Sequence, residues 1–235
     1  MYNGLNRVFF KGVAAVYAKG IKRLLDFTLA LVALIVLSPV LVLLTLLGAV
    51  AMGGNPFFVQ PRPGKWGKDG QEKIFPLIKF RTMSGAKDKE GNLLPDEQRL
   101  NGYGKFLRST SLDELPSLFN ILVGQLSIVG PRPLLVSYLP YYTTEERRRH
   151  SVRPGLTGYS QVHGRNYVKW EEKFQMDVWY VEHLSFATDV KILLDTVKVV
   201  LKRENVETAS QIVHEGVVYQ PLDVERRGKE EGRVP

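Results

Sequence analysis

Arg108-Ser-Thr-Ser-Leu-Asp113-Glu114-Leu-Pro116 is the stretch of this 235-residue sequence whose residue types and spacing could carry chemistry. Adjacent carboxylates at Asp113 and Glu114 can attack, bind metal or move protons if their surroundings fix their charge. Ser111 and Glu114 have the S-x-x-E spacing of a capping box, and Pro116 is tolerated only near a helix start, so the spacing predicts a helix opening at Ser111–Asp113. Two readings share that geometry. In one, the acids simply cap the helix, which accounts for most S-x-x-E matches. In the other, free amides and the positive end of the helix dipole keep Asp113 ionised and offer phosphate a landing place. Two carboxylates repel a phosphate ester on their own, so the second reading requires a divalent metal and cationic side chains. Arg108 precedes the pair, Lys79 and Arg81 lie in Lys-Phe-Arg-Thr-Met, and Arg132 is held between Pro131 and Pro133. Arg153-Pro-Gly155-Leu-Thr157-Gly, followed by Gln161 and Gly164-Arg165-Asn166, places backbone donors beside arginines as an anion or nucleotide pocket would. The plainer alternative for each is a solvated charge or an ordinary turn.

These residues need elements to position them. Phe57–Gln60 and Ile74–Arg81 read as strands on either side of the basic, Pro/Gly-rich loop Pro61–Gln71, which predicts a hairpin carrying Lys79 and Arg81. Ser84–Arg99 is polar and broken by glycine and proline, as a mobile loop covering a site would be. Helical patterns follow at Leu115–Val123, Glu145–His150, Trp170–Glu182 and Thr188–Lys202. In the last, Val190, Leu194, Val197 and Leu201 recur beside Lys191, Lys198 and Lys202, a stripe that suits either a core or a membrane interface. Residues 1–20 are basic and apolar without acids, as an interfacial amphipathic helix or a frayed tail would be. The charged stretch from Pro221 reads as disordered.

Phe27–Met52 carries no charge and would span roughly 39 Å as a helix. Ala49-Val50-Ala51 resembles a signal cleavage site, but a signal's apolar region runs only about 7–15 residues. Lys19, Lys22 and Arg23 precede the segment while Arg62, Lys65 and Lys68 follow it, so both flanks are drawn to the cytoplasmic side, which a single span cannot satisfy. Ser38-Pro39 sits near the middle, where proline removes a backbone donor and serine can satisfy a freed carbonyl. The expectation is a re-entrant helix-break-helix. The fold class expected is α+β and helix-dominated, with this membrane element (21–54) after an N-terminal extension (1–20). A small cytosolic catalytic domain with amphipathic interfacial helices and a short β-hairpin (55–205) follows, then a tail (206–235).

The formal charge of +8 calls for a polyanionic partner without choosing among nucleic acid, lipid and phosphorylated substrate. The basic residues are not interleaved with stacking aromatics in any recognisable module, which argues against nucleic acid. With no cysteine and four scattered histidines, disulfides, thiolate chemistry and a histidine-ligated metal drop out.

Taken in order, Lys22–Phe27 (KRLLDF), Ser38-Pro39, Lys79–Met83 (KFRTM), Arg108–Leu122, Val129–Leu135 (VGPRPLL) and Arg153–Asn166 resemble the monotopic bacterial sugar transferases. These are the polyprenyl-phosphate phosphoglycosyl transferases, and the likeness is to their small, catalytic-domain-only members. The resemblance implies a ping-pong reaction at the cytoplasmic face of the bacterial inner membrane, with membrane lipids as partners. Asp113 would attack a UDP-sugar to give a covalent sugar-phosphate intermediate and UMP, and undecaprenyl phosphate would then take the sugar phosphate. Glu114 would assist, Mg2+ would lie against Asp113 and the diphosphate, and Arg108 would bind phosphate, with Lys79, Arg81, Arg132, Arg153, Gly155, Thr157 and Arg165 as further candidate contacts. Whether the chain forms a homodimer stays open. A metal-dependent membrane phosphohydrolase and a non-catalytic membrane scaffold are the competing readings.

Overall fold

The computed structural model describes residues 16–164, 168–201, 212–214, 217–219 and 221–230. A π-type turn at Tyr17–Ile21 runs directly into α1 (Lys22–Met52), 31 residues long. Only 11% of its most apolar window is buried. A helix this apolar and this bare is a membrane-associated element, not the core of a soluble domain, and at 1.5 Å per residue it is roughly 46 Å long.

Helical structure continues across Ser38-Pro39, where the sequence predicts an interruption. Pro39 cannot donate to the Ile35 carbonyl, and Ser38 Oγ donates to that carbonyl at 2.8 Å, so no acceptor is left bare. One stripe of α1 is buried on both sides of the proline. Ala30 and Leu34 pack against Leu118, Ile121 and Leu126, and Leu44 packs against Phe80 and Leu107. Tyr103 Oη donates to the Leu44 carbonyl at 2.8 Å, and Asn101 Nδ2 to that of Ala51 at 2.9 Å. Ile35 and Val36, beside the proline, are 65% and 68% exposed. At the base of the helix, Asp26 accepts from Ser127 Oγ and Ile128 N–H, while Lys22 pairs with Asp189 at 2.6 Å. Charge buried in this way is retained because every group is partnered.

The predicted hairpin is present. β1 (Phe57–Trp66) pairs antiparallel with β2 (Glu72–Phe80), Phe57 opposite Phe80 and Pro63 opposite Ile74. Strand alternation sends Phe75 and Leu77 into the core, and Lys79, two residues on, follows them inward on the same face. The outer edge of β2 meets a helix. After α2 (Gly102–Thr110), α3 (Ser117–Leu122) lies along that edge: Asn120 accepts from Ile78 N–H at 3.0 Å and donates to the Pro76 carbonyl at 2.7 Å, while Ser117 Oγ donates to the Ile78 carbonyl. Two side chains thus close an edge that could otherwise pair with another chain.

β3 (Ser127–Val129) and β4 (Gly155–Thr157) form a second, parallel pair, so part of the 153–158 segment expected to be a loop is a strand. A Cβ on Gly155 would lie 2.1 Å from Gly130 N, so this glycine is demanded by backbone packing. α4 (Tyr159–His163), α5 (Trp170–Glu182) and α6 (Phe186–Leu201) follow. α6 buries Ile192 and turns Val190, Leu194, Val197 and Leu201 outward. The Ser84–Arg99 segment is tied at its ends, Ser84 N–H donating to the Arg99 carbonyl at 2.9 Å. A short antiparallel pair, β5 (Ile212–His214) and β6 (Val217–Tyr219), precedes α7 (Leu222–Glu230), which corrects the expectation of disorder beyond Pro221. One apolar anchor and one ion pair explain it. Leu222 is wholly buried with Tyr138, Tyr142 and Phe174, and Arg226 meets Glu146 at 2.6 Å. Most of the N-terminal extension lies outside the described residues.

Candidate active site

Asp113 and Glu114 do not open an α-helix as predicted. Ser111 adopts φ 56° and ψ 17°, its N–H closing α2 against the Leu107 and Arg108 carbonyls, and its side chain makes no capping bond. Leu112–Glu114 is then a single 3-10 turn before Pro116 and α3. The S-x-x-E spacing gives no capping box because Ser111 is in the left-handed region and the Glu114 carboxylate is drawn to cations.

Those cations make the two acids unequal. Glu114 Oε1 accepts from Lys79 Nζ at 2.6 Å and from Arg132 Nη2 at 2.7 Å. Burial alone pushes the Glu114 carboxyl up, but Arg132 and Lys79 together outweigh it and hold it at about 2. Asp113 has no hydrogen bond or ion pair among the described residues and faces a cavity. Burial and the adjacent Glu114 charge push its carboxyl above the ordinary aspartate value, against the pull of Lys79, Arg132 and Arg108. Lys79, forced inward by strand alternation, is held down by burial and by Arg132.

The cavity has a volume of about 1110 Å³. Asp113, Glu114, Lys79, Arg81, Arg108, Arg132 and Thr157 all line it, as do Ser84 and Arg99 from the two ends of the 84–99 segment. Arg108 Nε donates to Thr82 Oγ1 at 3.0 Å. Thr157 Oγ1 is 2.8 Å from Thr196 Oγ1, whose own proton goes to the Ile192 carbonyl. The structure does not bring Arg153 to this cavity. Arg153 Nε donates to the Gly124 carbonyl at 2.8 Å, beside Arg23, whose two terminal nitrogens each lie 2.6 Å from the Ile121 and Leu122 carbonyls. Both arginines satisfy carbonyls at or just beyond the C-terminal end of α3. Gly155 lines only a small adjoining cavity of about 60 Å³ behind Glu114. Arg165 lies outside the described residues.

A family model described as bacterial sugar transferase matches residues 17–203. The chain belongs to this family. It is therefore a transferase enzyme, as the run of motifs implies. Among its relatives, an uncharacterized sugar transferase, EpsL, of Bacillus subtilis (strain 168) is 47% identical over 195 residues, covering 83% of this chain and 94% of the relative. An undecaprenyl-phosphate galactose phosphotransferase of Salmonella typhimurium (strain LT2) is 34% identical, covering 78% of this chain and 41% of the relative. A UDP-glucose:undecaprenyl-phosphate glucose-1-phosphate transferase of Klebsiella pneumoniae is 37% identical, covering 83% and 40%. The chain thus spans nearly all of the first relative and about two fifths of the other two.

The cavity also has lining residues that the sequence does not single out. Arg62 and Lys173 line the cavity, as does Arg149, which is buried against Asp177 at 2.6 Å and donates to the Arg132 carbonyl at 2.7 Å. For Arg62 a signal was available. Pro61-Arg62-Pro63 repeats the Pro-Arg-Pro triplet that singled out Arg132. Lys173 and Arg149 sit in ordinary helical sequence and carry no such mark.

Proposed function

We propose that this transferase is a phosphoglycosyl transferase, moving a sugar 1-phosphate from a UDP-sugar to undecaprenyl phosphate by a ping-pong route. The observation that carries the reading is the inequality of the two acids: Glu114 is locked between Lys79 and Arg132, while Asp113 faces the cavity unpartnered among the described residues. In the first step an Asp113 carboxylate oxygen attacks the β-phosphorus. The new O–P bond forms as the bond to the bridging oxygen breaks, and UMP leaves with that electron pair. In the second step an oxygen of undecaprenyl phosphate attacks the same phosphorus, and the Asp113 carboxylate is released. The covalent intermediate divides one displacement into two. Lys79, Arg132 and Arg108 supply the charge that lets two anions meet. Glu114 is too firmly ionised to shuttle protons near neutral pH, so its part is to orient Lys79 and Arg132.

Mg2+ fits this donor set. No cluster of three or more acidic, histidine or cysteine side chains occurs among the described residues. Magnesium, however, is commonly held by one or two carboxylates together with substrate phosphates, and Asp113 is the unpartnered carboxylate facing the cavity. Bound there, it would neutralise diphosphate charge.

The membrane reading is that α1 enters and leaves by the cytoplasmic face. Its support is that both arms of the helix rest on the same domain, with the exposed Ser38-Pro39 region between them. Single cysteines at Gly20 and Lys65 test it in sealed inner-membrane vesicles: labelling of both from one side is expected, and labelling from opposite sides refutes re-entrance.

The reaction is tested by incubating purified protein with a panel of UDP-sugars, magnesium and undecaprenyl phosphate. Omitting the lipid should leave a sugar-phosphate adduct on Asp113, visible by intact mass and absent from Asp113→Asn. Recovery of free sugar phosphate with no lipid-linked product would instead assign a phosphohydrolase.

A further inference from the structure

We propose that Arg62 and Lys173, flanking Arg132, form a second phosphate subsite that takes the donor phosphate not attacked by Asp113 and holds the nucleoside monophosphate after transfer. The proposal rests on the transferase reading above. Its starting point is an imbalance of charge. Arg62 Nη2 donates to Gln60 Oε1 at 2.6 Å, while its Nε is buried with no hydrogen-bond partner. The Lys173 ammonium lies 4.6 Å from the centre of the Trp170 ring and has no hydrogen bond or ion pair among the described residues. Both side chains line the large cavity.

Glu114 and Asp177, whose charges act on Arg62 and Lys173, make their direct contacts with other residues. Glu114 is held by Lys79 and Arg132. Asp177, one turn beyond Lys173, accepts from Arg149 through Nε and Nη2 and from Ser160 Oγ at 2.7 Å. Burial, the largest cause, lowers the pKa of both Arg62 and Lys173, and the Arg132 charge lowers each, while Glu114 offsets part of this at Arg62 and Asp177 at Lys173. Desolvated cations that keep no direct acidic partner among the described residues favour an anion from outside the chain.

The order of the charges indicates which anion. Lys79, Arg132 and Arg108 act electrostatically on Asp113, and Arg62 and Lys173 are not among the charges that do. Arg132 acts on both groups. Lys79, Arg108 and Arg132 line the cavity with Asp113, so a phosphate attacked by Asp113 would meet these three cations. Arg62 adjoins this group, lining a small cavity together with Lys79, Glu114 and Arg132, and Lys173 lines the large cavity with all of them, so these two are the cations left for the other phosphate of a diphosphate. The Pro-Arg-Pro triplets at residues 61–63 and 131–133 each deliver an arginine to the cavity.

The test is equilibrium binding of UMP and of uridine, by calorimetry, to the full chain in nanodiscs, with no sugar donor present. Wild-type protein should bind UMP more tightly than uridine. Arg62→Gln and Lys173→Gln should each weaken UMP by about tenfold or more, the loss expected of a charge-assisted contact, and leave uridine unchanged. Lys173→Arg should retain UMP binding. Unchanged UMP affinity in both glutamine variants, equal weakening of UMP and uridine, or equal affinity of the wild type for both would overturn the subsite. Because no transfer is measured, the result stands apart from the Asp113 adduct, whose absence would count against the transferase reading alone.

Discussion

Replacing Asp113 with asparagine removes a charge that burial and Glu114 both disfavour, so the variant should unfold at a higher temperature than wild type at pH 7 even as transfer is lost. The sign follows from linkage. A carboxyl whose pKa is raised by folding adds most stability below its unfolded pKa, and that contribution is lost as pH rises through the folded value. Glu114 behaves oppositely. Held at about 2, it contributes above its ordinary value of 4.5, and the contribution fades as pH falls between the two. Glu114→Gln should therefore cost about 3 kcal/mol at pH 7, measured by thermal or denaturant unfolding. The same change should move the acid limb of kcat/KM to lower pH, because Asp113 loses its repelling neighbour. An unmoved limb would mean that Asp113 does not set it. Ser111 was not legible as a special position, since a sequence spacing of S-x-x-E carries no information about φ; only the folded chain shows the left-handed turn that delivers Asp113 to the cavity. Lys79 was legible because alternation fixes a strand's faces, and Arg132 because prolines fix its backbone.

At the scale of elements, Arg153 separates two kinds of arginine that look alike in sequence. Its position in a glycine-rich loop suggests an anion pocket, yet its guanidinium satisfies the Gly124 carbonyl just beyond α3, the helix that follows the turn carrying Asp113 and Glu114. Arg153→Ala should accordingly lower stability by about 1–2 kcal/mol and leave the KM for the UDP-sugar within about twofold of wild type. A large rise in KM with unchanged stability would return Arg153 to the substrate. The hairpin and the longer helices could be read from alternation and from helical spacing, because those signals are local. The β3–β4 pair could not: each strand is three residues long, and what makes them strands is their contact across the fold. The closure of β2 by Asn120 and Ser117 was hidden for the same reason.

At the scale of the whole molecule, α7 lies beyond the residues that match the family, yet it packs against the support of the active site. Leu222 is buried with Tyr142, and Arg226 pairs with Glu146, which closes a capping box with Thr143. Arg149 Nη1 in turn donates to Tyr142 Oη at 3.3 Å, and its Nη2 donates to the carbonyl of Arg132, the residue that holds Glu114. A chain ending at Arg203 should lose about 2 kcal/mol of stability with the Leu222 anchor and the Arg226 pair. Its kcat should also fall by roughly 2- to 30-fold, the range for a coupling of 0.5–2 kcal/mol carried through packed residues. Formation of the Asp113 adduct should persist, because α7 contributes none of the described residues that line the cavity. Leu222→Asp in the full chain should reproduce the kcat loss if the anchor is the cause. A truncated chain with a lower melting temperature but wild-type kcat would reduce α7 to a stabilising strap and leave Arg132 supported by Arg149 and Asp177 alone.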